Sequence, residues 1–159
     1  MTPDRELVEA WLAAVRRPEV SVALEAVYVM VGDEVAARGP ACWGSGRCCN
    51  FRKAGHRLYV TGLEAAYHVS RVGAVAGLGA IEAAGERGDC PYLEGNLCGA
   101  HGVKPLGCRV YFCDRSAQVW QEELTERGLG MIRRIHDEHG IEYRYGEWLG
   151  MLRAFGCGG

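Results

Sequence analysis

The sequence predicts a mainly α-helical fold: a small helical domain with two cysteine-rich metal-binding loops and at most a short strand or hairpin. Three observations predict it. Apolar residues recur at helical spacing through the flanking regions, about 2–38 and 116–155. Two loops within about 41–114 hold seven of the eight cysteines among many glycines. No linker or internal repeat divides the 159 residues, so 1–159 is expected to form a single domain.

Thr2 is expected to cap a first helix over 2–17, with Pro3 at its first helical position and Leu7, Trp11, Ala14 and Val15 on one face. Pro18 stops it. A second apolar helix is expected from about Glu19 to Arg38, ended by Gly39-Pro40. Residues 41–56 lack periodicity and read as a loop, and Arg57 to Val60 reads as a short strand. Thr61 then caps a helix to about Val72, with Glu64 completing a capping box. A short helix is expected over Ala80 to Glu86. Residues 88–114, with five glycines, two prolines and four cysteines, read as irregular. From Ser116 to His139 the pattern is helical again, with Trp120, Leu124, Met131 and Ile135 on one side and Gly128 and Gly130 as points for a kink. A last helix is expected from about Glu142 to Phe155, carrying Tyr145, Trp148, Leu149, Leu152 and Phe155, before a frayed Gly156-Cys157-Gly158-Gly159 end.

Composition narrows the function. A net charge of -2 lacks the basic excess of a dedicated nucleic-acid binder. The longest apolar run, Val20 to Val31, is interrupted by Glu25 and is shorter than the roughly 20 residues of a membrane span. No membrane partner is expected. The opening Met-Thr-Pro-Asp-Arg-Glu has neither the basic nor the apolar part of an export signal, so a cytoplasmic location is expected. Arginine outnumbers lysine 16 to 2, but the arginines are scattered and read as compositional bias rather than an anion site.

The cysteines are Cys42, Cys48, Cys49, Cys90, Cys98, Cys108, Cys113 and Cys157. Without an export signal, this density reads as metal or redox chemistry, with four disulfides as the alternative. Adjacent Cys48 and Cys49 are poorly suited to bridging each other, because the eight-membered ring strains the peptide between them. Soft thiolates select zinc, copper(I) or iron–sulfur clusters over hard cations. Loops without an apolar core need another source of order, and metal binding supplies it as folding free energy. Glycines 44, 46, 99, 102 and 107 let the backbone wrap closely and turn N–H groups toward sulfur. Arg47, Arg52, Lys53 and Arg109 stand beside the cysteines and suit the balance of about two net negative charges on a four-thiolate site. Arg47 and Arg109 are the cations assigned to the cofactor. His101 reads as solvated in its glycine-rich loop, and His136 and His139, at i and i+3, as solvated, dipole-friendly residues near a helix end, with a shared grip on a metal as the alternative. Cys157 lies in the glycine tail and is left out of the site.

The ordered elements Cys42-x-x-Ser45-Gly46-x-Cys48-Cys49, Cys90-Pro91-Tyr92-Leu93, and Cys98 through Pro105 to Cys108-Arg109-x-Tyr111-x-Cys113 resemble the YkgJ-type cysteine-cluster family. That family is described as zinc- or iron-chelating and is often labelled an Fe–S oxidoreductase. Its pattern is Cys-x2-Cys-Gly-x-Cys-Cys, then Cys-Pro-aromatic-Leu, then Cys-x-Ile-Tyr-x2-Arg-Pro-x2-Cys-Arg-x-aromatic, in some members followed by another Cys. The resemblance covers about 41–114. Ser45 stands where the family has its second cysteine, Ala100-His101 where it has Ile-Tyr, and Lys104 where it has Arg before Pro105. One ligand is therefore lost, or His101 or Cys113 takes its place.

The resemblance implies a metal-binding protein with Cys42, Cys48, Cys49, Cys90, Cys98, Cys108 and Cys113 as ligands of a 4Fe–4S cluster or of zinc, with a redox or electron-transfer role. Two other classes compete. One is an enzyme related to the cysteine-cluster protein methylases or oxidoreductases; against it, the chain has no Gly-x-Gly-x-x-Gly fingerprint and no Cys-x3-Cys-x2-Cys radical motif. The other is a metal-handling protein, which spare thiols would suit.

Overall fold

The computed structural model describes residues 3–38, 58–72, 78–88, 90–94, 97–98, 103–110 and 118–157. The fold is mainly helical. Its helices are α1 (Arg5–Val15), α2 (Pro18–Arg38), α3 (Gly62–Arg71), α4 (Leu78–Arg87), α5 (Leu106–Val110), α6 (Gln118–Glu138) and α7 (Trp148–Cys157). Among the described residues, two antiparallel pairs of very short strands accompany them: β1 (Tyr59–Thr61) with β4 (Tyr145–Glu147), and β2 (Leu93–Glu94) with β3 (Leu97–Cys98). Among the described residues, no helix is long and apolar enough to cross a membrane.

Helix α1 is capped by Asp4, not Thr2. The Asp4 carboxylate accepts from the Leu7 amide at 2.8 Å, so the helix starts where a side-chain oxygen can satisfy an orphan donor. Val8, Trp11, Ala14 and Val15 form its buried face, with Leu7 half-buried beside them. Pro18 both ends that helix and opens α2, where its missing N–H costs nothing. Thr61 caps α3 as expected: its hydroxyl accepts from Glu64 N while the Glu64 carboxylate accepts from Thr61 N.

Two segments differ from the sequence expectation. Residues 142–147 are not helical: Tyr145–Glu147 forms β4, in register Tyr59↔Glu147 and Thr61↔Tyr145 with β1. Helix α7 starts only at Trp148, where the Glu147 carboxylate accepts from Gly150 N at 2.9 Å, and it runs through Gly156 to Cys157 rather than fraying at Gly156. The region 88–114 is not wholly irregular either, because α5 lies within it. Helix α6 runs through Gly128 without interruption. Gly128 is small because a Cβ there would come within 2.9–3.0 Å of the Leu106 methyls, at the contact between α5 and α6.

The core forms where α1 packs on α3, α2 on α6, and α7 on α3 and α4. Trp11 and Trp148 are fully buried in it. Helix α3 lies so deep that every residue from Gly62 to His68 is buried, two of them the ionisable Glu64 and His68.

Candidate metal centre

Of the seven cysteines expected in the site, Cys90 and Cys108 have described side chains, and both are buried. Cys42, Cys48, Cys49 and Cys113, together with Arg47 and His101, lie outside the described residues. Cys98 is described only as backbone, in β3. Among the described residues, no group of three or more His, Cys, Asp or Glu side chains is placed to hold a metal ion.

The second cysteine segment is held by α3 at two points one helical turn apart, from residues i and i+4 on a shared face. At the first, the Glu64 carboxylate accepts from the Leu106 amide, fixing the start of α5 two residues before Cys108. The same carboxylate accepts from Thr61 N and Oγ1 and, at 3.2 Å, from the Tyr28 hydroxyl of α2. Burial pushes the Glu64 carboxyl above its ordinary range, while these hydrogen bonds pull it back. Arg109 donates to Lys104 O at 2.7 Å and lays its guanidinium over the Tyr28 ring, 3.9 Å from the centroid. The cation assigned to the cofactor thus also clamps the turn that carries Cys108. Gly107 permits the same close packing, since a Cβ there would stand 2.5 Å from Leu58 Cδ1.

At the second point, the His68 ring is 1% exposed and its Nδ1 lies 3.2 Å from Val103 O. A carbonyl only accepts, so Nδ1 carries the proton and Nε2 carries the lone pair. Nε2 has no hydrogen-bond partner among the described residues. The ring meets Tyr92 edge-on, with centroids 4.6 Å apart, and Trp148 at 4.9 Å. The Trp148 indole N–H in turn donates to Cys90 Sγ at 3.2 Å. Trp148 thus links the Cys90 thiol to the buried His68 imidazole where α3, α7 and the second cysteine segment join.

His136 corrects an expectation. It is fully buried rather than solvated: it follows Ile132 by one turn on the inner stripe of α6, and its Nδ1 donates to Glu142 O at 3.1 Å. His139 instead lies partly exposed beside Arg17. His68, Glu64 and Trp148 were not singled out as site residues from sequence. The available signal was Glu64 and His68 spaced i, i+4 within an otherwise apolar helix start.

Burial pushes His68 down from its ordinary 6.5 to about 4, and pushes His136 down as well. A histidine held neutral in the fold binds its proton more readily when unfolded. Stability of the metal-free chain is therefore full above pH 6.5 and falls as pH drops toward 4, by about 3 kcal/mol for His68. Glu64 acts in the opposite sense, since its raised carboxyl takes up a proton in the fold first. Denaturant unfolding of metal-free protein between pH 7 and 4 should show a net loss that His68→Asn makes shallower. An equal loss in both proteins would contradict this assignment.

Comparison of the chain with family models, with curated proteins and with solved structures finds no match in any of the three.

Proposed function

We propose that the chain is a metal-binding protein of the YkgJ-type cysteine-cluster kind, in which cysteine thiolates hold an iron–sulfur cluster of the 4Fe–4S type, with zinc as the alternative. The observation that carries this reading is the setting of Cys90. Its side chain is buried and its sulfur accepts an indole N–H from Trp148 at 3.2 Å. Hydrogen bonds to sulfur and exclusion of solvent are the means by which a protein sets a cluster's potential. Cys42, Cys48, Cys49, Cys98, Cys108 and Cys113 are the further candidate ligands, with Arg47 and Arg109 as balancing cations. A bound cluster of this type supplies one-electron transfer. The cytoplasm is the compartment that keeps such thiols reduced.

Seven candidate thiolates exceed the four that one tetrahedral zinc or one cubane needs. Replacing each in turn by serine should therefore sort them into two groups, one that abolishes metal retention and one that only weakens it. Cys90→Ser is expected in the first. Undiminished iron, sulfide and zinc in Cys90→Ser protein would contradict the reading.

A further inference from the structure

We propose that His68 is a nitrogen ligand, through Nε2, of the metal centre that Cys90 enters. The inference rests on the metal-binding reading above. Three observations carry it.

The first is the tautomer. A metal-binding imidazole donates its other ring N–H to a fixed acceptor, commonly a backbone carbonyl, which aims and enriches the binding nitrogen. Val103 O does this for His68 Nδ1. The second is the orphan lone pair. Nε2 is buried and has no hydrogen-bond partner among the described residues, and a buried polar atom left unsatisfied is costly. The Nδ1 bond to Val103 O explains one ring nitrogen, and nothing among the described residues explains the other. The third is placement. Tyr92 stands two residues from Cys90, Val103 precedes Cys108 by five, and Trp148, in ring contact with His68, holds the Cys90 sulfur. His136 supplies the contrast. It has the same tautomer and an Nε2 without a partner among the described residues, but its ring neighbour is Tyr143 and its partner is Glu142 O, neither from a cysteine segment.

A mixed nitrogen and sulfur set still selects zinc or an iron–sulfur centre. Histidine in place of one thiolate lowers the negative charge of the site and raises a cluster's potential.

The test loads the full chain, labelled with 15N at histidine and kept reduced, with 113Cd(II) as the probe. Cadmium should show scalar coupling to one histidine Nε2, with the His136 resonances unmoved. The coupling should vanish in His68→Asn, whose amide keeps a donor for Val103 O, and cadmium affinity should fall at least about tenfold. His68→Cys should restore affinity and move the cadmium resonance toward a more sulfur-rich environment. Bound cadmium with an all-sulfur resonance and no histidine coupling would overturn the His68 assignment and leave the cysteine reading standing. A chain that binds no cadmium would overturn both.

Discussion

Glu64→Ala is expected to lower the unfolding free energy by about 3–5 kcal/mol and to abolish metal retention with it. The Glu64 carboxylate is fully enclosed and gathers the Thr61 amide and hydroxyl, the Tyr28 hydroxyl and the Leu106 amide. Truncation leaves those donors buried without their acceptor, and each such loss costs about 1–3 kcal/mol. It also separates three elements at once: the capped start of α3, the middle of α2 and the first turn of α5. The last of these positions Cys108, so the fold and the proposed site should fail together. Glu64→Gln keeps the volume and one acceptor oxygen, and should cost less, about 1–2 kcal/mol. Urea unfolding of the metal-free variants measures both. An Ala variant as stable as the parent would show that the carboxylate does not brace the second cysteine segment.

Gly62→Ala is expected to cost about 3 kcal/mol, the upper end of the usual range for overpacking. A Cβ at this position would lie inside the Trp11 indole, not merely against it. Trp11 is fully buried, stacks on Phe155 with centroids 6.2 Å apart, and donates from Nε1 to Glu142 O at 2.9 Å. The indole is tethered at Nε1 to Glu142 O, a carbonyl that also accepts from His136, so shifting the ring loses that bond. In a Trp11→Leu background the added methyl should become nearly neutral, giving a coupling of about 2–3 kcal/mol in a double-mutant cycle. Additive effects of the two substitutions would contradict the contact.

Residues with strong helical periodicity were legible from sequence, and those ordered by distant partners were not. The helix around Trp11 declares itself by its apolar face, α2 around Leu24 by an apolar run opened by Pro18, and α6 around Ile132 by recurring apolar positions, while the Thr61–Glu64 box marks the start of α3 to the residue. Tyr145–Glu147 reads as helix by its apolar spacing, yet it pairs with Tyr59–Thr61 more than eighty residues away. No local pattern reports that register. Helix α5 is five residues long, too short for a period, and is started by a carboxylate forty-two positions earlier in the chain. At the candidate site, the cysteines stand out by type and spacing. Glu64 was legible only as half of a capping box, Trp148 only as an apolar residue of the last helix, and His68 not at all. Their relation to Cys90 and Cys108 exists in tertiary packing alone.

The most direct test of the account is the metal and acid-labile sulfide content of the chain purified without oxygen, read together with its absorption spectrum. A brown protein with about four irons and four sulfides per chain is the predicted result. Colourless protein with stoichiometric zinc would select the alternative metal on the same thiolates. Protein without iron or zinc, equally stable after chelation and carrying its cysteines as disulfides, would contradict the metal-binding claim itself.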